Sequence, residues 1–134
     1  MSVQELGPQR PAPTPEEAEL KQVILELRRG SRDVSGVMLA SSDGLPLAHD
    51  LPPDHHLQTA AMAATAVGLS RRIVETFGHG GFEEAVVRGR DGYLVVYSAG
   101  PRAVLAVLAS GQANLGLLHH LARRTASRVS ELLV

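Results

Sequence analysis

Apolar and polar positions along the chain follow a helical period in three segments and short strand-like runs between them. The first helical segment opens at Thr14-Pro15-Glu16-Glu17, where a capping threonine, a proline suited to the first turn and a glutamate form a capping box. Its apolar residues share one face: Leu20, Val23, Ile24 and Leu27. This pattern predicts a helix that ends near Gly30.

Five short apolar runs predict strands, at residues 34–40, 45–48, 82–88, 93–98 and 102–109. Turn residues such as Asp43-Gly44, Asp91-Gly92 and Gly100-Pro101 separate them. Because these links are tight, neighbouring strands are expected to be antiparallel. The run 103–108 is apolar on both faces, which predicts a strand in the middle of the sheet.

Two further helices are predicted, a long one over residues 54–77 and a last one whose apolar face runs from Leu118 to Leu132. The element order is therefore α-β-β-α-β-β-β-α, which indicates an α/β (α+β) domain over residues 14–134. Residues 1–13 are rich in proline and polar side chains and are expected to be a flexible tail.

The long helix carries more apolar surface than packing on one sheet requires. At 100° per residue, one stripe is formed by Met62, Ala66, Leu69 and Ile73, and an adjacent second stripe by Ala60, Ala63, Val67 and Val74. Together they span an arc of about 180°, against the ~100° that a surface helix buries. We expect one stripe to cover the sheet and the second to bind another protein surface; exposed alanine without a partner is the alternative.

Composition limits the function classes. The chain has 134 residues, a net charge of −1 and no cysteine, so disulfides, thiolate metal sites and a cysteine nucleophile are excluded. A nucleic-acid binder usually carries a basic excess. No apolar run is long enough for a signal peptide or a membrane span. We therefore expect a cytoplasmic protein that does not bind nucleic acid and does not span a membrane.

Candidate chemical motifs are weak, so no catalytic, cofactor-binding or metal-binding residue is predicted. The pairs His55-His56 and His119-His120 are adjacent and split across a helix surface, whereas zinc helices space their ligands four apart. We expect these histidines to be solvated. The glycine-rich segment 78–81 follows a helix and lacks the lysine of a phosphate-binding loop. The arginines of the long and last helices are expected on solvated faces, with Arg71 near the second stripe.

Three segments resemble the Roadblock/LC7 family, and the resemblance covers about residues 16–134. Residues 34–39 (VSGVML) with 43–48 (DGLPLA) resemble the first hairpin of the family. Residues 82–87 (FEEAVV) with 91–94 (DGYL) resemble the next strand pair, and 113–118 (ANLGLL) resemble the start of the last helix.

The resemblance implies a profilin-like fold: a five-stranded antiparallel sheet with one helix on one face and two on the other. Family members typically dimerise through the middle helix and the third strand. Applied to this chain, that places the dimer or partner interface at Ala60, Ala63, Val67, Arg71, Val74, Phe82, Glu84 and Val86.

The resemblance also implies a function without catalysis or cofactor. Many bacterial members are similar to MglB-type regulators of Ras-like GTPases, which makes a homodimeric regulator or effector-binding platform for a small Ras-like GTPase the leading hypothesis. A scaffold or light-chain subunit with no effect on a GTPase is the alternative, and a small enzyme is the third. The dimer partner is a second copy in this hypothesis, with a related chain as the other choice.

Overall fold

A computed structural model describes residues 12–52 and 54–133 of the chain. Its three helices are α1 (Pro15–Gly30), α2 (His56–Thr76) and α3 (Leu115–Leu132). Its five strands are β1 (Val34–Ser41), β2 (Pro46–Asp50), β3 (Glu84–Arg88), β4 (Gly92–Ser98) and β5 (Ala103–Ser110). The order α-β-β-α-β-β-β-α is as predicted. Most of the predicted tail, residues 1–11, lies outside the described residues.

The five strands form one antiparallel sheet in the order β2-β1-β5-β4-β3. The last strand in sequence, β5, lies in the centre, as its two apolar faces predicted. Its register sets Val107 beside Val37 on β1 and Val95 on β4, and all three side chains are fully buried. β2 and β3 form the two edges of the sheet.

Helix α1 begins with the predicted capping box. The backbone amide of Glu17 donates to the Thr14 hydroxyl oxygen at 3.1 Å, and the Thr14 amide donates to the Glu17 carboxylate at 3.3 Å. Two amides that would otherwise have no helical partner are thereby satisfied. The helix buries the four predicted apolar residues against the sheet.

The sheet separates two apolar cores. α1 and α3 cover one face, where their leucine and valine side chains pack on inward residues of β1, β4 and β5. α2 alone covers the other face. The arrangement of one helix on one face and two on the other agrees with the predicted fold. Among the described residues, no helix is both long and apolar enough to cross a bilayer.

Several element boundaries differ from the prediction by one or two residues, and two of them have a local cause. α2 ends at Thr76, where amides of the following turn bond back to its carbonyls: Gly78 to Glu75 at 3.2 Å and His79 to Val74 at 2.9 Å. β3 begins at Glu84, two residues later than expected. Phe82 precedes the strand because its ring packs against the core under α2 and does not follow the strand pairing.

Candidate interaction surface

The inner side of α2 is formed by the second stripe, so the prediction that this stripe binds another protein surface is wrong for its three buried residues. Ala60 and Ala63 are fully buried, and Val67 is only 1% exposed. They pack on sheet residues that already fill much of the space: Met38, Ala40, Val96, Val104 and Ala106. Small helix side chains are needed there because the backbone of α2 must approach the sheet closely.

The first stripe is the one left in solvent, except for Ala66, which is half-buried and packs against the core under α2. Leu69 is 61% exposed, and Met62, Ile73 and Phe77 are exposed with it on the same flank of α2. Large apolar side chains in a contiguous exposed row mark interaction surfaces in soluble proteins. The surplus apolar surface of α2 therefore exists, on the flank opposite to our assignment. We refer to Met62, Leu69, Ile73 and Phe77 as the outer stripe.

Arg71 is held inside the chain. Its guanidinium donates to the Ser98 hydroxyl at 2.6 Å and lies 3.5 Å from the Gly100 carbonyl, so it ties α2 to the turn between β4 and β5. Val74 is half-buried one turn further along the helix. The interface role of both residues stays a prediction.

Among the described residues, no strand pairs with the outer side of β3, so this strand forms an open edge of the sheet. Val86 is 42% exposed and Val87 is 55% exposed, and they point to opposite faces of the sheet. Val87 lies on the α2 side, since its register partner Leu94 packs in the core under α2. Because α2 also contacts β3, the helix that carries the outer stripe packs against this edge strand. The predicted interface residue Val86 is at this edge.

The opposite edge, β2, is blunted. The Lys21 ammonium of α1 donates to the His49 carbonyl, and the Arg28 guanidinium bonds the Asp50 carboxylate at 3.2 Å. The strand starts with Pro46, which has no amide to donate, and its pairing with β1 is irregular between Leu39 and Ala40. Proline, charged side chains and bulges are the features that discourage strand addition.

The predicted interface residue Glu84 turns away from the edge into a polar cluster with α3. Its carboxylate binds the Arg123 guanidinium and lies 3.9 Å from His119 Nδ1, which shares a 2.7 Å hydrogen bond with the Tyr97 hydroxyl. Burial raises the pKa of Tyr97, the Glu84 charge raises it further, and Arg123 opposes them. The cluster fixes the start of β3 to α3.

The prediction of solvated histidines is wrong for His119, which is half-buried in this cluster, while its neighbour His120 is exposed. Sequence reasoning missed the cluster because its members come from β3, β4 and α3. Within the described residues, no group of three or more histidine, aspartate or glutamate side chains is arranged to hold a metal ion.

A cleft of about 690 Å³ lies between α1 and α3. The floor of the cleft is apolar and includes Val23, Leu27 and Leu121. Within the cleft, the Arg128 guanidinium of α3 bonds the Glu26 carboxylate of α1 at 2.8 Å. This ion pair joins the two helices on the face of the sheet opposite α2. The outer stripe, which belongs to α2, therefore lies on the other face of the sheet from the cleft.

A family model for the Roadblock/LC7 domain matches residues 20–109, more than half of the chain. The chain belongs to the Roadblock/LC7 family. An uncharacterized protein of Methanocaldococcus jannaschii is 32% identical over 114 residues, which cover 84% of this chain and 95% of that protein.

Solved structures show the same Roadblock/LC7 fold. The Roadblock/LC7 domain from Streptomyces avermitilis superposes with a TM-score of 0.80 at 28% identity, covering 84% of this chain and 96% of that one. A structure described as MglB with tetrameric arrangement gives a TM-score of 0.79 at 22% identity, with 93% and 95% covered. The resemblance seen in the three sequence segments is thereby confirmed.

Proposed function

We propose that this Roadblock/LC7 protein is a homodimeric, non-catalytic regulator or effector-binding platform for a small Ras-like GTPase in the cytoplasm. One observation carries the proposal: α2, which carries the exposed outer stripe, packs against the edge strand β3. A surface of this kind, formed by an apolar helix flank beside an unpaired strand, favours binding of a second protein chain.

A second copy of the chain fits this surface. In a two-fold dimer the same patch is used twice, so each outer-stripe residue contributes two contacts. Joining β3 to β3 also satisfies the backbone groups of the open edge, while the blunted β2 edge leaves only one end of the sheet available. A stable interface of this type buries about 1,200–2,000 Å² in total. The structure described as MglB with tetrameric arrangement, which has the same fold, supports the association of chains of this fold.

The dimer acts on a GTPase by binding, without donating a catalytic group. A partner that binds one conformation of the switch loops more tightly shifts their population and so changes hydrolysis or exchange. Arg71 is not free to act as an arginine finger, because its guanidinium is bonded to Ser98 and Gly100 within the chain. Regulation then depends on the surface that the dimer presents.

The test has two steps. Sedimentation equilibrium first measures the oligomeric state, which we expect to be a dimer at micromolar concentration. Ras-like GTPases of the source organism are then purified and loaded with GDP or a non-hydrolysable GTP analogue. We expect one of them to bind in a nucleotide-dependent way and to change its hydrolysis or exchange rate when the dimer is added.

Variants separate the outcomes. Leu69→Arg on the outer stripe is expected to abolish both dimerisation and the effect on the GTPase, while Leu117→Arg on the opposite side of the sheet preserves dimerisation. A wild-type monomer contradicts the homodimer. Binding of a GTPase with hydrolysis and exchange rates unchanged contradicts regulation and favours the scaffold role.

A further inference from the structure

The hydrogen-bond phase of β3 determines which of its backbone groups face the open edge. The Gly89 amide donates to the Gly92 carbonyl at 2.8 Å, where the β3–β4 hairpin closes. In an antiparallel pair, hydrogen-bonded residues recur every second position. Val87 and Ala85 therefore bond to β4, while Glu84, Val86 and Arg88 direct their amides and carbonyls outward.

The side chains of β3 are complementary to each other when the strand is paired antiparallel with a second copy of itself. Its five residues are Glu84, Ala85, Val86, Val87 and Arg88. When the strand is paired antiparallel with a second copy about Val86, Glu84 faces Arg88 and the small Ala85 faces the larger Val87. Val86 faces itself. Opposite charges and matched apolar sizes at facing positions are the contacts that stabilise a strand pair.

We propose that β3 pairs with β3 of a second copy in the one register whose two-fold axis passes through Val86. This register rests on the proposed homodimer and adds to it a specific alignment. The outward residues of one copy then meet the outward residues of the other, so all of their edge amides and carbonyls are bonded. The partner selected by this strand is the same chain.

Both charged side chains lie on the same face of the sheet. Glu84 and Arg88 lie on the α3 side of the sheet, because their register partners are Tyr97 and Tyr93, which pack in the core on that side. The Arg88 guanidinium lies 5.6 Å from the centre of the Tyr93 ring on the neighbouring strand β4. In the dimer, the Glu84 carboxylate lies between Arg123 of its own chain and Arg88 of the second copy.

Neighbouring registers are less favourable. An axis through Ala85 sets Glu84 opposite Val86, and an axis through Val87 sets Arg88 opposite Val86. In each case a charge faces an apolar side chain, and only three of the five β3 residues are paired within the strand. An axis between two residues sets outward groups opposite groups already bonded to β4.

Cysteine cross-linking tests the register directly, since the natural chain has no cysteine. With the axis at Val86, Ala85 of one copy faces Val87 of the other as a non-hydrogen-bonded pair, with Cα atoms about 4.5 Å apart. That spacing is within reach of a disulfide, whereas like residues are offset by two positions and lie roughly 8 Å apart. Ala85→Cys and Val87→Cys are therefore purified singly, mixed to exchange subunits, and oxidised mildly.

We expect a disulfide-linked dimer in the mixture and none in either variant alone. Cross-linking of Ala85→Cys alone places the axis at Ala85, and cross-linking of Val87→Cys alone places it at Val87; either result overturns the register. A dimer by sedimentation with no disulfide in any sample also overturns it. All three leave the homodimer standing, while a monomeric wild-type chain removes the homodimer and the register together.

Charge reversal gives a second readout with a matched control. Arg88→Glu sets two like-charged pairs in the interface, and we expect the dimer dissociation constant to rise about tenfold. Arg90→Glu makes the same charge change in the β3–β4 turn, outside the strand, and is expected to change the constant less than twofold. Equal effects of the two variants would overturn the Glu84–Arg88 pairing, because net charge alone would then explain them.

Discussion

Truncation of Leu69 measures how much the outer stripe contributes to association. Fully burying a leucine side chain stabilises a complex by about 1.5–3 kcal/mol. Leu69 is 61% exposed in the single chain, so only that part remains to be buried in the dimer. Leu69→Ala keeps the β-carbon, which leaves a loss of about 1 kcal/mol for each copy.

The two-fold symmetry of the proposed dimer doubles this loss of binding free energy. Two copies of Leu69→Ala weaken the dimer by about 2 kcal/mol, which corresponds to a rise of about 30-fold in the dissociation constant. The free energy of unfolding of the monomer is expected to change by less than about 0.5 kcal/mol, because the side chain makes few core contacts. Sedimentation equilibrium over a concentration series measures the dissociation constant, and urea unfolding of dilute protein measures the free energy of unfolding.

Leu117→Ala is the matched control. Leu117 is also exposed, but it lies on α3, on the other face of the sheet. It is expected to leave the dissociation constant within twofold of wild type. An unchanged constant for Leu69→Ala, or an equal rise for both variants, would refute the assignment of the outer stripe to the dimer.

The remaining predictions concern the stability of the single chain. Val67→Ala should lower the free energy of unfolding in urea by about 1–3 kcal/mol, and Val67→Arg should abolish cooperative unfolding, since Val67 is buried under α2; a folded Val67→Arg protein would contradict this. Tyr97→Phe should cost about 1–2 kcal/mol, because it leaves His119 Nδ1 without its hydrogen bond. Because burial holds the pKa of Tyr97 above its usual value, wild-type stability should fall as the pH rises above about 10, and urea titrations of Tyr97→Phe should lose that part of the decline. Thr14→Ala removes one half of the capping box with Glu17, and it should lower the free energy of unfolding by about 1 kcal/mol, as measured by thermal unfolding.

Local features of the fold were predictable because their causes lie within a few residues. The capping box of α1 needs only Thr14 and Glu17, and the turn at Asp91-Gly92 needs only its own residues. The central position of β5 followed from its continuous apolar run, since a strand with two apolar faces must be covered on both. These features require no knowledge of distant contacts.

The faces of α2 were assigned wrongly for a physical reason. A helical period shows which residues share a face, but it does not show which face meets the sheet. That choice depends on the opposing side chains, here Met38, Val96 and Val104, which leave room only for the small second stripe. The cluster of Glu84, His119 and Tyr97 escaped prediction in the same way, because its contacts join residues 22 or more positions apart.

The packing of α2 also separates folding from association. Small residues such as Ala63 face inward, where they set the distance between helix and sheet, and large residues such as Leu69 are left on the outer flank. Substitutions on the inner side are therefore expected to act on the free energy of unfolding, and substitutions on the outer side on the free energy of the proposed dimerisation. Because the two sets lie on different flanks of the helix, their effects should be additive when they are combined.

A double variant carrying Val67→Ala and Leu69→Ala tests this additivity. Its loss of monomer stability should equal that of Val67→Ala, and its rise in dissociation constant should equal that of Leu69→Ala. Coupling well above 0.5 kcal/mol would show that the inner and outer flanks of α2 do not act independently.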